Sequence, residues 1–131
     1  MPQNVNARLL DAHRPALERV FDCADSVAES WDGETTTDRD AVVVPFRATL
    51  RASNALEPLA EALEDSVTAA GYPLAARPVP APPYVVVTSR GVVLRATVPD
   101  GRLVATLSTF EVAPYRREGA LPEALTVEHR R

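Results

Sequence analysis

From Asn6 to Trp31 apolar residues recur every three or four positions. Leu10, His13, Leu17, Val20, Ala24, Val27 and Trp31 share one stripe with Phe21 and Ala28, and Asp11, Glu18, Asp22, Asp25, Glu29 and Asp32 fall on the other side. That spacing predicts an amphipathic helix. Pro15 either kinks it or sits in the first turn of its longer second piece. Asp32-Gly33 closes the helix, and Glu34 to Asp40 reads as a polar loop. From Ala41 to Arg51 the period falls to two. Val42, Val44, Phe46, Ala48 and Leu50 point one way, and Val43, Pro45, Arg47, Thr49 and Arg51 the other. This predicts a strand with one wet face. Pro45 lacks an N–H, which places the strand at a sheet edge or turns that site outward.

Asn54-Ala-Leu-Glu57 offers a capping box into a second helix. Its stripe is Leu56, Leu59, Ala60, Leu63, Val67 and Ala70, with Gly71 as its C-terminal stop. Pro73 to Pro83 holds five prolines in eleven residues and reads as a semi-rigid connector that either docks on the domain or stands off as an arm. Tyr84 to Val112 reads as a three-stranded meander with turns at Arg90-Gly91 and Asp100-Gly101. Two-residue turns there pair Val98 with Leu103, Ala96 with Ala105 and Leu94 with Leu107, and in the first hairpin Val87 with Leu94 and Val85 with Ala96. All of these are apolar and lie on one face. The segment from Ala113 to Arg131 reads as a partly irregular tail, with at most a short helix after Pro122 and a frayed His129-Arg130-Arg131 end.

The predicted order is α-β-α-β-β-β. The fold class is α+β, two-layer, with two helices on one face of an antiparallel-rich four-stranded sheet. The first strand lies beside either the second or the fourth. Residues 1–112 form a single domain with the connector 73–83 inside it, followed by the tail 113–131. Leu17, Val20, Phe21, Val27, Val44, Phe46, Leu59, Leu63, Val85, Val87, Leu94 and Leu107 are the expected core.

Composition adds a setting. All 14 basic residues are arginine, isoleucine is absent as well, and the net charge is −4. These features point to a GC-rich genome and, with acids in excess, fit a salt-adapted cytoplasm. Residues 1–65 carry 13 acids and 6 arginines, residues 66–131 carry 5 acids and 8 arginines, so the two halves differ in sign. One cysteine, Cys23, excludes an internal disulfide and favours a reducing compartment. No secretory signal is visible at the start, and no apolar run is long enough for a membrane span. The expected location is cytoplasmic.

Few positions suggest chemistry. The wet sheet face is the leading candidate. Arg47, Thr49, Arg51, Tyr84, Thr88, Arg95, Thr97 and Thr106 collect there around Val86, Val93 and Val104, with Ser108 and no acid. Guanidiniums and hydroxyls hold phosphates, and the tyrosine offers a stacking surface. The same residues are also ordinary for an exposed strand. The acids of the first helix read as a solvated face rather than a metal site. His13 and Cys23, ten residues apart, have no zinc spacing and no support as a nucleophile pair. Pro80-Ala-Pro-Pro83 matches the bare PxxP pattern and reads as linker. No catalytic, cofactor or metal motif is present.

The segment Pro82-Pro-Tyr-Val-Val-Val-Thr-Ser-Arg-Gly-Val-Val-Leu-Arg95, in this arginine-only, valine-rich style, resembles small uncharacterised haloarchaeal protein families. The resemblance covers about a quarter of the chain and implies no activity, and the modest net charge of −4 argues against an extreme halophile. An actinobacterial source fits the composition as well. The leading functional expectation is a non-catalytic interaction domain acting through protein–protein contacts or self-association as a homodimer. The second is anion or nucleic-acid binding through the arginine face, and the third is an enzyme of unknown class. No cofactor and no membrane partner is expected.

Overall fold

The computed structural model describes residues 2–131. Four helices come first: α1 (Pro2–Ala12), α2 (Arg14–Glu29), α3 (Asp40–Ala52) and α4 (Leu56–Ala69), with a short strand β1 (Thr35–Thr36) between α2 and α3. Strands follow: β2 (Val85–Val87), β3 (Gly91–Val98), β4 (Gly101–Ser108), β5 (Phe110–Glu111), β6 (Tyr115–Arg117) and β7 (Leu125–Arg130). They form two antiparallel sheets, one of four strands in the order β2-β3-β4-β7 and one of three in the order β1-β6-β5. The fold is α+β, with four helices in place of the expected two and with a second sheet.

The long first helix is two. The chain breaks at His13 (φ −125°, ψ 20°), and Pro15 sits in the first turn of α2, where its missing N–H would have had no intrahelical partner. Leu17, Val20, Phe21, Cys23, Ala24 and Val27 line the buried side of α2. The expected Asn54 capping box does not form. Asn54 takes a left-handed φ of 59°, and α4 starts from Ala55 with no side-chain cap.

The segment read as the first strand is helix α3. Its buried residues are Val42, Val43, Phe46 and Leu50, spaced as one helical stripe. Val44, expected in the core, is 58% exposed, and Val43, expected on the wet side, is 3% exposed. Asp38 Oδ1 accepts the Asp40 N–H at 3.0 Å, Asp40 lies in the first turn and Arg51 in the last, charges that suit the two ends of the helix dipole. Pro45 lies inside the helix and cannot donate to the carbonyl of Ala41. Trp31 takes over: its Nε1–H donates to Ala41 O at 2.9 Å. Trp31→Phe keeps a ring and removes that donor, so it is expected to cost about 1–3 kcal/mol of stability. In a Pro45→Ala background the new backbone N–H can satisfy Ala41, and the loss should largely vanish. Equal losses in the two backgrounds, measured by urea unfolding, would refute this account.

The meander has the expected faces in a different register. Val85 pairs with Leu94 and Val87 with Val92, and then Leu94 with Ala105, Ala96 with Leu103 and Val98 with Gly101. Each pairing is shifted by two residues from expectation, which preserves the face of every side chain. The turns are Ser89-Arg90 and Pro99-Asp100, so each glycine opens the following strand instead of closing the turn. Proline followed by Asp100 at φ 65° is the pattern of a type II turn. Thr88 Oγ1 accepts the N–H groups of Arg90 and Gly91 in the other. Gly91 and Gly101 each lie against a neighbouring strand, with Leu107 O and Arg130 O at 1.8 and 2.0 Å from where a Cβ would sit.

The tail is not a helix and does not fray into coil. Leu125 to Arg130 joins β4 as β7, pairing Leu107 with Leu125 and Arg102 with Arg130. The connector docks: Pro78 is buried, Tyr72 and Leu74 pack on the core, and Arg77 pairs with Glu64 of α4 at 3.3 Å. One core results. Leu17, Val20, Phe21, Val27, Phe46, Leu59 and Leu63 from the helices meet Val85, Leu94 and Leu107 from the sheet, with Val87 partly buried against them. Phe110 of β5 joins the small sheet to this core through Phe46 (5.3 Å, edge-on) and Trp31 (5.8 Å).

Candidate functional site

Because α3 is a helix, Arg47 and Arg51 stand one turn apart on it, while Thr49, two residues from each, falls on the other side of the helix, half-buried. The two arginines border a groove of about 370 Å³ whose other walls are Leu56, Pro80 to Pro82 of the connector and strand β2. Neither guanidinium has an ion-pair or hydrogen-bond partner among the described residues. The strand beside them is an edge. Arg95 N–H donates to Tyr84 O and Thr88 N–H to Gly91 O, both at 2.8 Å, so residues 84, 86 and 88 face β3. Val85 and Val87 therefore direct their backbone groups outward. The Val85 N–H is taken by Ala81 O at 3.1 Å, and those of Val87 have no recorded partner among the described residues. Two free guanidiniums beside open strand hydrogen-bonding sites can hold carboxylates and extended backbone together.

The arginines expected on one sheet face are thus divided. Arg95, Thr97 and Thr106 lie on the face of the sheet away from the helices, with Val86, Val93 and Val104. Tyr84, just before β2, packs toward the core. Thr88 is occupied in holding its turn. The outer face also carries an acid. The register runs Arg95–Val104–Glu128 across three strands, and Glu128 Oε2 accepts from Arg130 Nε at 3.0 Å. Glu128 belongs to the segment read as a tail, which is why the face looked free of carboxylate.

The other candidates have structural partners. His13 Nε2 lies 2.6 Å from Asp65 Oδ2, and Arg8 Nε donates to the same oxygen at 2.8 Å. Hydrogen bonds from Arg8 and then His13 hold the Asp65 carboxyl down at about 2. Cys23 Sγ lies 3.3 Å from Ser53 Oγ, so the thiol and the imidazole face different neighbours. In the acidic stripe, Asp25 accepts from Arg117 Nε at 2.8 Å. Arg117 also lies over the Phe21 ring, 5.2 Å from its centroid, and donates to Glu118 O and Gly119 O. It fastens the small sheet to α2. Among the described residues no group of three or more His, Cys, Asp or Glu could hold a metal ion. Another cleft, about 610 Å³, is bordered by Trp31, Asp32, Thr35 to Thr37 and Pro45. No described helix is long and apolar enough to cross a membrane.

A domain of unknown function, DUF7988, matches residues 3–130. The chain belongs to the DUF7988 family. No curated protein and no solved structure shows a match. The DUF7988 match spans both the helical half and the β7 segment, in keeping with their shared core.

Two features of this DUF7988 domain were missed in the sequence, and each left a signal. Val42, Val43, Phe46 and Leu50 follow a helical stripe, and the valine at 43 is the position a strand would have left wet. Leu125-Thr-Val-Glu-His-Arg130 alternates apolar and polar residues through Val127, as an edge strand does.

Proposed function

We propose that the domain is a non-catalytic interaction module that takes an acidic protein segment in the groove beside β2. One observation carries the reading: Arg47 and Arg51, both without a carboxylate partner among the described residues, border a groove along an open strand edge. Charge-assisted contacts from two guanidiniums supply selectivity for carboxylates. The outward backbone groups of Val87 supply hydrogen bonds of the kind an added strand uses. Anion or nucleic-acid binding is the second reading, and the same two arginines favour it. The division of Arg47 and Arg51 from Arg95 argues for a short acidic segment over a long phosphate backbone. The arginine-only composition and the absence of disulfide partners for Cys23 support a reducing, salt-rich cytoplasm as the setting.

The test is a fluorescence titration with a labelled glutamate-rich peptide and with a labelled single-stranded oligonucleotide, at low and at high salt. The peptide is expected to bind more tightly, and Arg47→Ala/Arg51→Ala should weaken it about tenfold or more. Oligonucleotide binding that exceeds peptide binding would move the function to nucleic acid. Peptide binding absent at low salt, or indifferent to the double substitution, would remove the groove from consideration.

A further inference from the structure

We infer that β7 is a self-association edge, through which two copies join antiparallel into one continuous sheet with Glu128 of each opposite Arg130 of the other. This contact lies at the opposite edge of the sheet from the proposed peptide groove and does not depend on it.

The first observation is which backbone groups are free. The order β2-β3-β4-β7 leaves β7 paired on one side only. Ser108 N–H donates to Ala124 O at 2.9 Å. In the register that follows, the even residues Thr126, Glu128 and Arg130 exchange hydrogen bonds with β4. Val127 and His129 therefore point their N–H and C=O away from the sheet, and none of these groups has a recorded partner among the described residues. Cover is recorded only at the start of the strand, where Asn6 Nδ2 donates to Leu125 O at 3.5 Å and Leu125 N–H to Pro122 O at 3.2 Å.

The second observation is charge, and it selects a register. Hydrogen bonding requires the outward odd residues of one copy to meet odd residues of the other. Centring the pair on Glu128 would set two carboxylates directly opposite each other, which is destabilising. Centring it on Val127 would place Glu128 opposite Thr126 and leave the charges unmatched. Centring it on His129 places Glu128 opposite Arg130 twice, once on each side of the two-fold axis, with Val127 opposite Arg131. The charges of β7 are self-complementary in that register alone among the three. It also sets the two Leu125 ends, which α1 covers, on opposite sides of the axis, so neither α1 lies at the centre of the contact. The occupant fitted by this edge is a second copy of the chain.

The experiment is sedimentation of the full chain at tens of micromolar, with charge reversals. A dimer is expected. Glu128→Arg alone and Arg130→Glu alone each set like charges opposite and should weaken dimerisation about tenfold. The swap Glu128→Arg/Arg130→Glu should restore it. Unfolding midpoints serve as the control, because the Glu128–Arg130 pair within one chain is exposed and contributes little to folding. The register has its own readout: His129→Cys should form a covalent dimer on mild oxidation, since directly paired residues bring their Cα atoms within disulfide reach, whereas Val127→Cys should not. A monomer at these concentrations would overturn the inference. So would a dimer indifferent to the single reversals, a swap that fails to rescue, or cross-linking through Val127→Cys in place of His129→Cys.

Discussion

Gly91→Ala is expected to cost the domain about 3–5 kcal/mol, an overpacking penalty added to backbone strain. A Cβ at this position would lie 1.8 Å from Leu107 O, 2.9 Å from Leu107 C and 3.2 Å from Thr109 N. Every one of these atoms is backbone, so no side chain can rotate away. The φ of 154° adds strain for any residue with a Cβ. The only escape is to part β3 from β4 at the Gly91–Ser108 pair. That end of the ladder also holds the start of the small sheet, because Arg90 O accepts the N–H groups of Thr109 and Phe110 at 2.8 and 3.1 Å. Gly33→Ala is the internal comparison. Nothing lies within 4 Å of its would-be Cβ and its φ is unremarkable, so that change should be neutral or stabilising by up to about 1 kcal/mol. Urea unfolding of both variants decides the matter, and a loss below about 1 kcal/mol for Gly91→Ala would contradict the close approach described.

Gly91 and Gly101 show what the sequence disclosed about the sheet and what it hid. Apolar residues recur at every second position, 92 to 98 and 103 to 107, and although Val93 and Val104 interrupt the polar side, that period gave the buried face correctly. Register is a finer property. Arg90-Gly91 and Asp100-Gly101 look like turns because glycine usually serves turns. Here the glycines serve close contact with the next strand, a requirement set by residues far away in the chain, Leu107 and Arg130. The candidate site was legible to the same degree. Arg47, Arg51 and Arg95 stood out as unpaired cations, but grouping them needed α3 to be a strand. The acid that accompanies Arg130 lies in a segment whose prolines and glycine made it read as a tail. Local signals described each piece, and tertiary pairing decided their neighbours.

The helix α3 can be tested against the strand it resembles with one pair of substitutions. Positions 42, 46 and 50 are common to a period of two and to a helical stripe, since steps of four satisfy both. The burial of Val42, Phe46 and Leu50 therefore distinguishes nothing. Val44 does distinguish the two, because it shares a strand face with Phe46 but lies away from Phe46 on a helix. Phe46 is fully buried and meets Phe110 edge-on at 5.3 Å, so Phe46→Ala should cost about 3–5 kcal/mol. Val44→Asp should change stability by no more than about 0.5 kcal/mol, as an exposed substitution does. In a strand, that aspartate would enter the core beside Phe46 as an unpaired buried charge, and the cost would rival or exceed that of Phe46→Ala. A severe Val44→Asp defect would restore the strand and take the Arg47–Arg51 groove with it, because that groove is walled by helix α3 packed beside β2 and the connector.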